Sequence, residues 1–295
     1  MTVSWPSKWV KKYGIIKGEE IDIITKGNSL VLSSDSVNAE KSTNVDVTDL
    51  DERLTKCILS ILYKKGYDEI SVNYNSPVSI KYIKEAVSNV MLGFVIMNQT
   101  SNNCLVKSVS RDLSSEFDKT LRRCFLVTLS LAESSFEMIK NCLFSNINDL
   151  LSLEQSNNQL TNFCERLINK NELKSEYSSF IYVIIWQLEK IADEYRTIVK
   201  IMHNDSVPLN KNLISFYKQV NDFLREFYNI FYKKNLKDIN NLYIKGEKLK
   251  QSFFNQKIVD KNKIGFYLFK ILSSIIEIIP SMIAVDNHED KFRGD

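Results

Sequence analysis

The stretch Leu121-Arg122-Arg123-Cys124-Phe125-Leu126-Val127-Thr128-Leu129-Ser130-Leu131-Ala132-Glu133-Ser134-Ser135-Phe136 decides the fold class. Leu121, Phe125, Thr128, Leu129, Ala132 and Phe136 recur at spacings of three and four, which lines one face of a helix. The same period runs from residue 112 almost to the C-terminus, with brief breaks near 144–146, 169–172, 204–209, 233–236 and 260–263. Six long helical segments result. Breaks this short join antiparallel neighbours, so the pattern predicts a helical bundle. The third segment holds Leu188-Glu189 and the sixth Ile276-Glu277, 88 residues apart, and the six read as two repeats of three helices, 111–204 and 209–290.

Composition agrees. The chain has 295 residues with only 8 Gly and 4 Pro, 44% hydrophobic and 25% charged, which excludes collagen-like, disordered and all-β classes. The length fits about two domains. The formal charge of +3 creates no global field, so any contact with nucleic acid must come from a local patch.

Upstream of the bundle the pattern changes. Glu20-Ile21-Asp22-Ile23-Ile24 and Ser29-Leu30-Val31-Leu32 alternate like paired strands around Lys26-Gly27-Asn28, closing an N-terminal element over 1–34. Residues 35–48 are rich in Ser, Asn and Asp and read as a linker. Residues 49–110 carry helix, strand, helix, strand and strand patterns, a small α/β region. The expected fold class is mainly α with this small α/β N-terminal part.

Catalytic signals are sparse. The only histidines, His203 and His288, fall at segment ends or tails, and neither a G-x-G-x-x-G nor a G-x-x-x-x-G-K-[ST] motif occurs. An enzyme is not expected. A di-iron bundle enzyme would need Glu-x-x-His pairs on its helices, and there are none. Cys57, Cys104, Cys124, Cys142 and Cys164 are dispersed and odd in number, as buried thiols of a reducing compartment are. With no apolar leader after Met1 and no run of about 18 apolar residues, a cytoplasmic protein without membrane insertion is expected.

Two constellations carry possible chemistry. Glu189 and Asp193 lie four apart on one helix face, where paired carboxylates suit a hard or borderline metal such as Mg, Mn or Fe. The same spacing describes a solvated face with Lys190 and Arg196 nearby. In the second repeat Glu277-Ile278-Ile279-Pro280-Ser281 keeps one carboxylate and lacks the other. Lys8, Lys11, Lys12 and Lys17 cluster with Trp9 and Tyr13, and in a dimer the doubled patch could bind DNA phosphates by counterion release. The aromatic run from Phe216 to Tyr232 reads as packing. Phe180-Ile181-Tyr182-Val183-Ile184-Ile185-Trp186 is apolar all round, as a central buried helix is.

Three stretches resemble known families. Ser4-Trp5-Pro6-Ser7-Lys8-Trp9-Val10-Lys11-Lys12-Tyr13-Gly14-Ile15-Ile16-Lys17-Gly18-Glu19-Glu20-Ile21 resembles the S-L-P-K-x-W-V-x-x-x-G-L-x-x-G-D-x-V signature of SpoVT/AbrB-like domains. Gln187-Leu188-Glu189-Lys190-Ile191-Ala192-Asp193 is similar to the x-L-E-R-I-A-D motif of PhoU proteins, whose tandem three-helix bundles match the three-plus-three plan. Gly66-Tyr67-Asp68-Glu69-Ile70 and Leu92-Gly93-Phe94-Val95-Ile96 resemble the connecting region of archaeal proteins that fuse the two.

The resemblance implies a regulator of phosphate uptake. It implies a swapped-hairpin dimer that binds DNA through Lys8, Lys11, Lys12 and Lys17. It also implies a PhoU-like bundle that holds a metal ion (Fe, Mn, Zn or Mg) at Glu189 and Asp193 and engages a phosphate-transporter ATPase or a sensor kinase. An alternative is an interaction protein of the PhoU kind that restrains such a partner without touching DNA. AbrB-like domains carry a strand ahead of the motif, whereas this chain starts at Met1-Thr2-Val3; the resemblance therefore implies an upstream start or an element reduced to dimerisation.

Overall fold

A computed structural model describes residues 4–18, 21–26, 29–34, 40–109, 116–170, 177–205, 209–233, 235–255 and 263–285. Helix α1 (Ser7–Tyr13) precedes a hairpin of β1 (Ile21–Lys26) and β2 (Ser29–Ser34), paired antiparallel from Ile21 with Ser34 to Lys26 with Ser29. The expected strand pair is present, and its turn residues Gly27 and Asn28 lie outside the described residues.

An α/β unit follows: β3 (Ser42–Asp46), α2 (Glu52–Lys64), β4 (Glu69–Asn73), α3 (Pro77–Val90), β5 (Phe94–Gln99) and β6 (Asn103–Ser108). The sheet order is β3-β4-β6-β5, with β3 parallel to β4 and the other pairs antiparallel. Asp51 and Ser76 cap α2 and α3 by accepting the backbone N–H groups of Leu54 and Ser79. One sheet face buries Ile70, Val72, Cys104 and Val106 against Leu59, Tyr63, Ile83 and Ala86 of the two helices. The stretch 35–48 is therefore not all linker. Residues 42–46 form an edge strand, because Thr43 and Val45 alternate with polar residues and find a partner in Ile70 to Val72. Gly66, at φ +83°, turns the chain from α2 into β4; a Cβ there would also meet Lys170 Cγ at 2.5 Å.

Six long helices complete the described chain: α4 (Phe117–Lys140), α5 (Ile147–Asn169), α6 (Ser178–Asp205), α7 (Lys211–Lys233), α8 (Leu236–Asn255) and α9 (Lys263–Val285). A short 3-10 turn, Phe144–Asn146, links the first two. Helices α4, α5 and α6 pack on one another, as do α7, α8 and α9, and contacts of α6 with α9 and of α4 with α7 join the two groups. A set of long packed helices is what the helical period and short breaks predict. At the join Tyr195 donates to Asn221 Oδ1 at 2.8 Å, Asn221 donates to the Ala132 carbonyl at 2.7 Å, and Tyr217 donates to Ser135 Oγ at 2.8 Å. Phe125 packs against Phe227, Tyr228, Phe231 and Tyr232, so the aromatic run is packing, as expected.

Two readings need correction. Helix α6 is not buried all round: Ile181, Ile184 and Ile185 are buried, while Phe180, Val183 and Trp186 are exposed. And α9 is long and apolar enough to cross a membrane, contrary to the expectation that no such run exists. Its Ile264, Leu268, Ile271, Leu272, Ile275 and Ile279 instead fill the bundle core, which accounts for its composition.

The cores of the α/β unit and the bundle are joined through α5. Arg166 of α5 donates to the carbonyls of Tyr63 and Tyr67, and Gln155 and Gln159 reach Asn89 and Ser88 of α3.

Candidate functional site

The N-terminal basic cluster is laid out by α1 and the segment after it. Lys8, Lys11 and Lys17 are exposed, whereas the side chain of Lys12 lies outside the described residues. Trp5 and Trp9 stack with ring centroids 4.9 Å apart, fixing the entry of the helix. After these cations in the chain, Ile16 is 73% exposed, and in the hairpin Ile23 and Leu30 are each 62% exposed. No described element outside the hairpin packs substantially on either strand.

Glu189 and Asp193 project from one face of α6, as their spacing requires, and both are partly buried. Lys190 Nζ lies 3.1 Å from Glu189 and 3.6 Å from Asp193, and Arg196 donates to Asp193 Oδ1 at 3.2 Å. Across from them α5 supplies two further carboxylates that the sequence reading did not single out. Glu154 is buried beside Asp193; Asn158 donates to its Oε1 at 2.7 Å and Arg196 Nε lies 3.5 Å away. Burial pushes the Glu154 carboxyl above its ordinary range; Arg196 acts against this and Asp193 adds to it. Glu165 is buried beside Lys64, 3.1 Å away, and neighbours Tyr182 and Glu189. Burial likewise raises its pKa, opposed by Lys64 and reinforced by Glu189. The Tyr182 hydroxyl, half-buried next to Glu165, is pushed up to about 12 by burial and by that charge.

The α5–α6 seam therefore gathers Glu154, Glu165, Glu189 and Asp193 around Lys64, Lys190 and Arg196. Charges from the protein itself already compensate most of the carboxylates. Among the described residues no group of three or more His, Cys, Asp or Glu side chains is placed to hold a metal ion. The Glu189 and Asp193 carboxylates, expected to hold a metal ion, lie against Lys190 and Arg196 in this arrangement. On α9 Glu277 is exposed and Ser281 is buried.

Glu154, Asn157, Thr161 and Glu165 recur every three or four residues along α5. That spacing was visible in the sequence as a polar stripe, but a polar stripe ordinarily marks the solvent side of a helix.

Compared with protein families, with curated proteins and with solved structures, the chain matches none of them.

Proposed function

We propose that the chain is a dimeric, non-enzymatic regulator of phosphate uptake acting in the cytoplasm. It contacts DNA through Lys8, Lys11, Lys12 and Lys17, and it engages protein partners through its helical part, which resembles a PhoU bundle. One observation carries this reading: Lys8, Lys11 and Lys17 are exposed, and the two-stranded hairpin that follows them in the chain leaves Ile23 and Leu30 exposed. An isolated hairpin is marginal in water, and a second copy of the hairpin supplies the missing cover. Dimerisation doubles the lysine patch, and the released counterions supply the affinity. The seam of α5 and α6 enters as a structural element; a metal ion there would have to displace Lys190 and Arg196.

Anisotropy of a labelled DNA duplex, titrated with the full chain over a range of salt concentrations, tests the reading. Binding should weaken steeply with salt, and Lys11→Gln with Lys12→Gln should flatten the slope by about 0.9 for each phosphate contact removed. Absence of duplex binding at low salt overturns it. It would favour the second reading, an interaction protein restraining a phosphate-transporter ATPase or sensor kinase, which is supported by an uncovered basic groove on α4.

A further inference from the structure

One exposed stripe of α4 forms a groove of about 430 Å3 lined by Lys119, Arg122, Arg123, Leu126, Val127 and Ser130. These positions are three or four apart and so share a single helix face. Arg122 is held in place from α7: its Nε donates to the Tyr228 hydroxyl at 3.2 Å, and its guanidinium carbon lies 5.4 Å from the centre of the Tyr232 ring. The terminal nitrogens of Arg122 bond to no described residue, and Arg123 has no ion pair among the described residues. Lys119 is paired with Glu116 at 3.0 Å, and Arg225 with Glu133 occupies the far end. Two guanidinium groups with no ion pair among the described residues thus flank an apolar floor, on which Leu126 is exposed and Val127 half-buried.

We infer that this groove docks an acidic amphipathic segment of a partner protein. A branched apolar side chain of that segment lies on Leu126 and Val127, and its Asp or Glu carboxylates take the open forks of Arg122 and Arg123. Charge complementarity selects an acidic occupant, and the apolar floor selects a peptide. A nucleic-acid backbone gains nothing from Leu126, and a lipid surface calls for a broad apolar face rather than two apolar residues on one helix. The inference deepens the partner-binding side of the proposed function and rests on it only for the partner's role in phosphate control.

The test uses the full chain and a labelled helical peptide with Leu along one face and Glu on its flanks. Controls are the same peptide with Glu replaced by Gln, the same with Leu replaced by Ala, a DNA duplex, and phosphatidylserine–phosphatidylcholine vesicles. The acidic peptide should bind, and Arg123→Gln and Leu126→Asp should each weaken it about tenfold or more, with the thermal melt unchanged. Arg122→Gln is a poorer probe, since it also removes the contact to Tyr228. Absence of peptide binding, equal binding by the variants, or equal binding of the Gln or Ala peptides overturns the inference. Duplex or vesicle binding that falls with Arg123→Gln and Leu126→Asp also overturns it.

Discussion

Arg166 of α5 and Asp68, at the start of β4, form an ion pair that ties the α/β unit to the helical bundle. Arg166 is buried between two aromatic rings, its guanidinium 5.1 Å from the centre of Tyr63 and 4.9 Å from that of Phe94. It also donates to the carbonyls of Tyr63 at 2.8 Å and Tyr67 at 2.7 Å, satisfying acceptors at and just beyond the C-terminal end of α2. Lys170 adds a second cation 3.0 Å from Asp68, and Asn169 donates to the Lys64 carbonyl. A planar cation with several donors thus serves three acceptors where two hydrophobic cores meet.

Arg166→Met should cost about 3 kcal/mol or more, since it takes a buried donor from two carbonyls and a paired cation from a partly buried carboxylate. Urea unfolding followed by circular dichroism should separate into two transitions, the α/β unit losing its structure first. A single transition with an unchanged midpoint would contradict the assignment of Arg166 as the joint.

Gly246 lies where α8 crosses α7 and α9. A Cβ there would meet Ile276 Cγ1 at 2.7 Å and Phe223 Cζ at 2.9 Å. In an open helix Gly→Ala stabilises by about 1 kcal/mol, but here overpacking should reverse the sign and cost about 1–3 kcal/mol. Thermal melts of Gly246→Ala, alone and with Ile276→Val, check this. The second change should restore part of the loss.

Glu165 and Asp68 should push stability in opposite directions with pH. The folded pKa of Glu165 is raised, so the folded state holds its proton where the unfolded chain has released it. Its contribution falls as pH rises from the ordinary Glu value through the raised one. Burial acts against ionisation of Asp68, yet the Lys41 backbone N–H, Lys170 and Arg166 hold its carboxyl below the usual range. Its contribution is present above the ordinary Asp value and is lost as pH falls through the lowered one. Urea midpoints measured from about pH 3 to 7 should show Glu165→Gln flattening the upper part of the curve and Asp68→Asn the acid limb.

The exposed hairpin should set the oligomeric state. Replacing Ile23 or Leu30 by Lys should convert a dimer to a monomer in sedimentation velocity, while the far-UV signal of the bundle and its melting temperature stay the same. A wild-type monomer, or a dimer indifferent to both substitutions, would remove the support for a second copy at the hairpin.

The helical period from residue 112 onward marked out the six long helices by itself, and the short breaks between them marked where each ends. The pairing of β1 with β2 was equally local, because alternation and a tight turn specify a hairpin without help from distant residues. A helical period states which residues share a face, not what covers that face. Tertiary structure alone decided that the polar stripe Glu154, Asn157, Thr161 and Glu165 is interior, because α5 is enclosed by α2 and α3 on one side and by α4 and α6 on the other. It likewise decided that Phe180, Val183 and Trp186, on a helix that reads as wholly apolar, remain outside. The strand at 42–46 was hidden for the same reason. Its short polar-apolar alternation becomes a strand through parallel pairing with β4, and that pairing depends on an intervening helix folding back over the sheet.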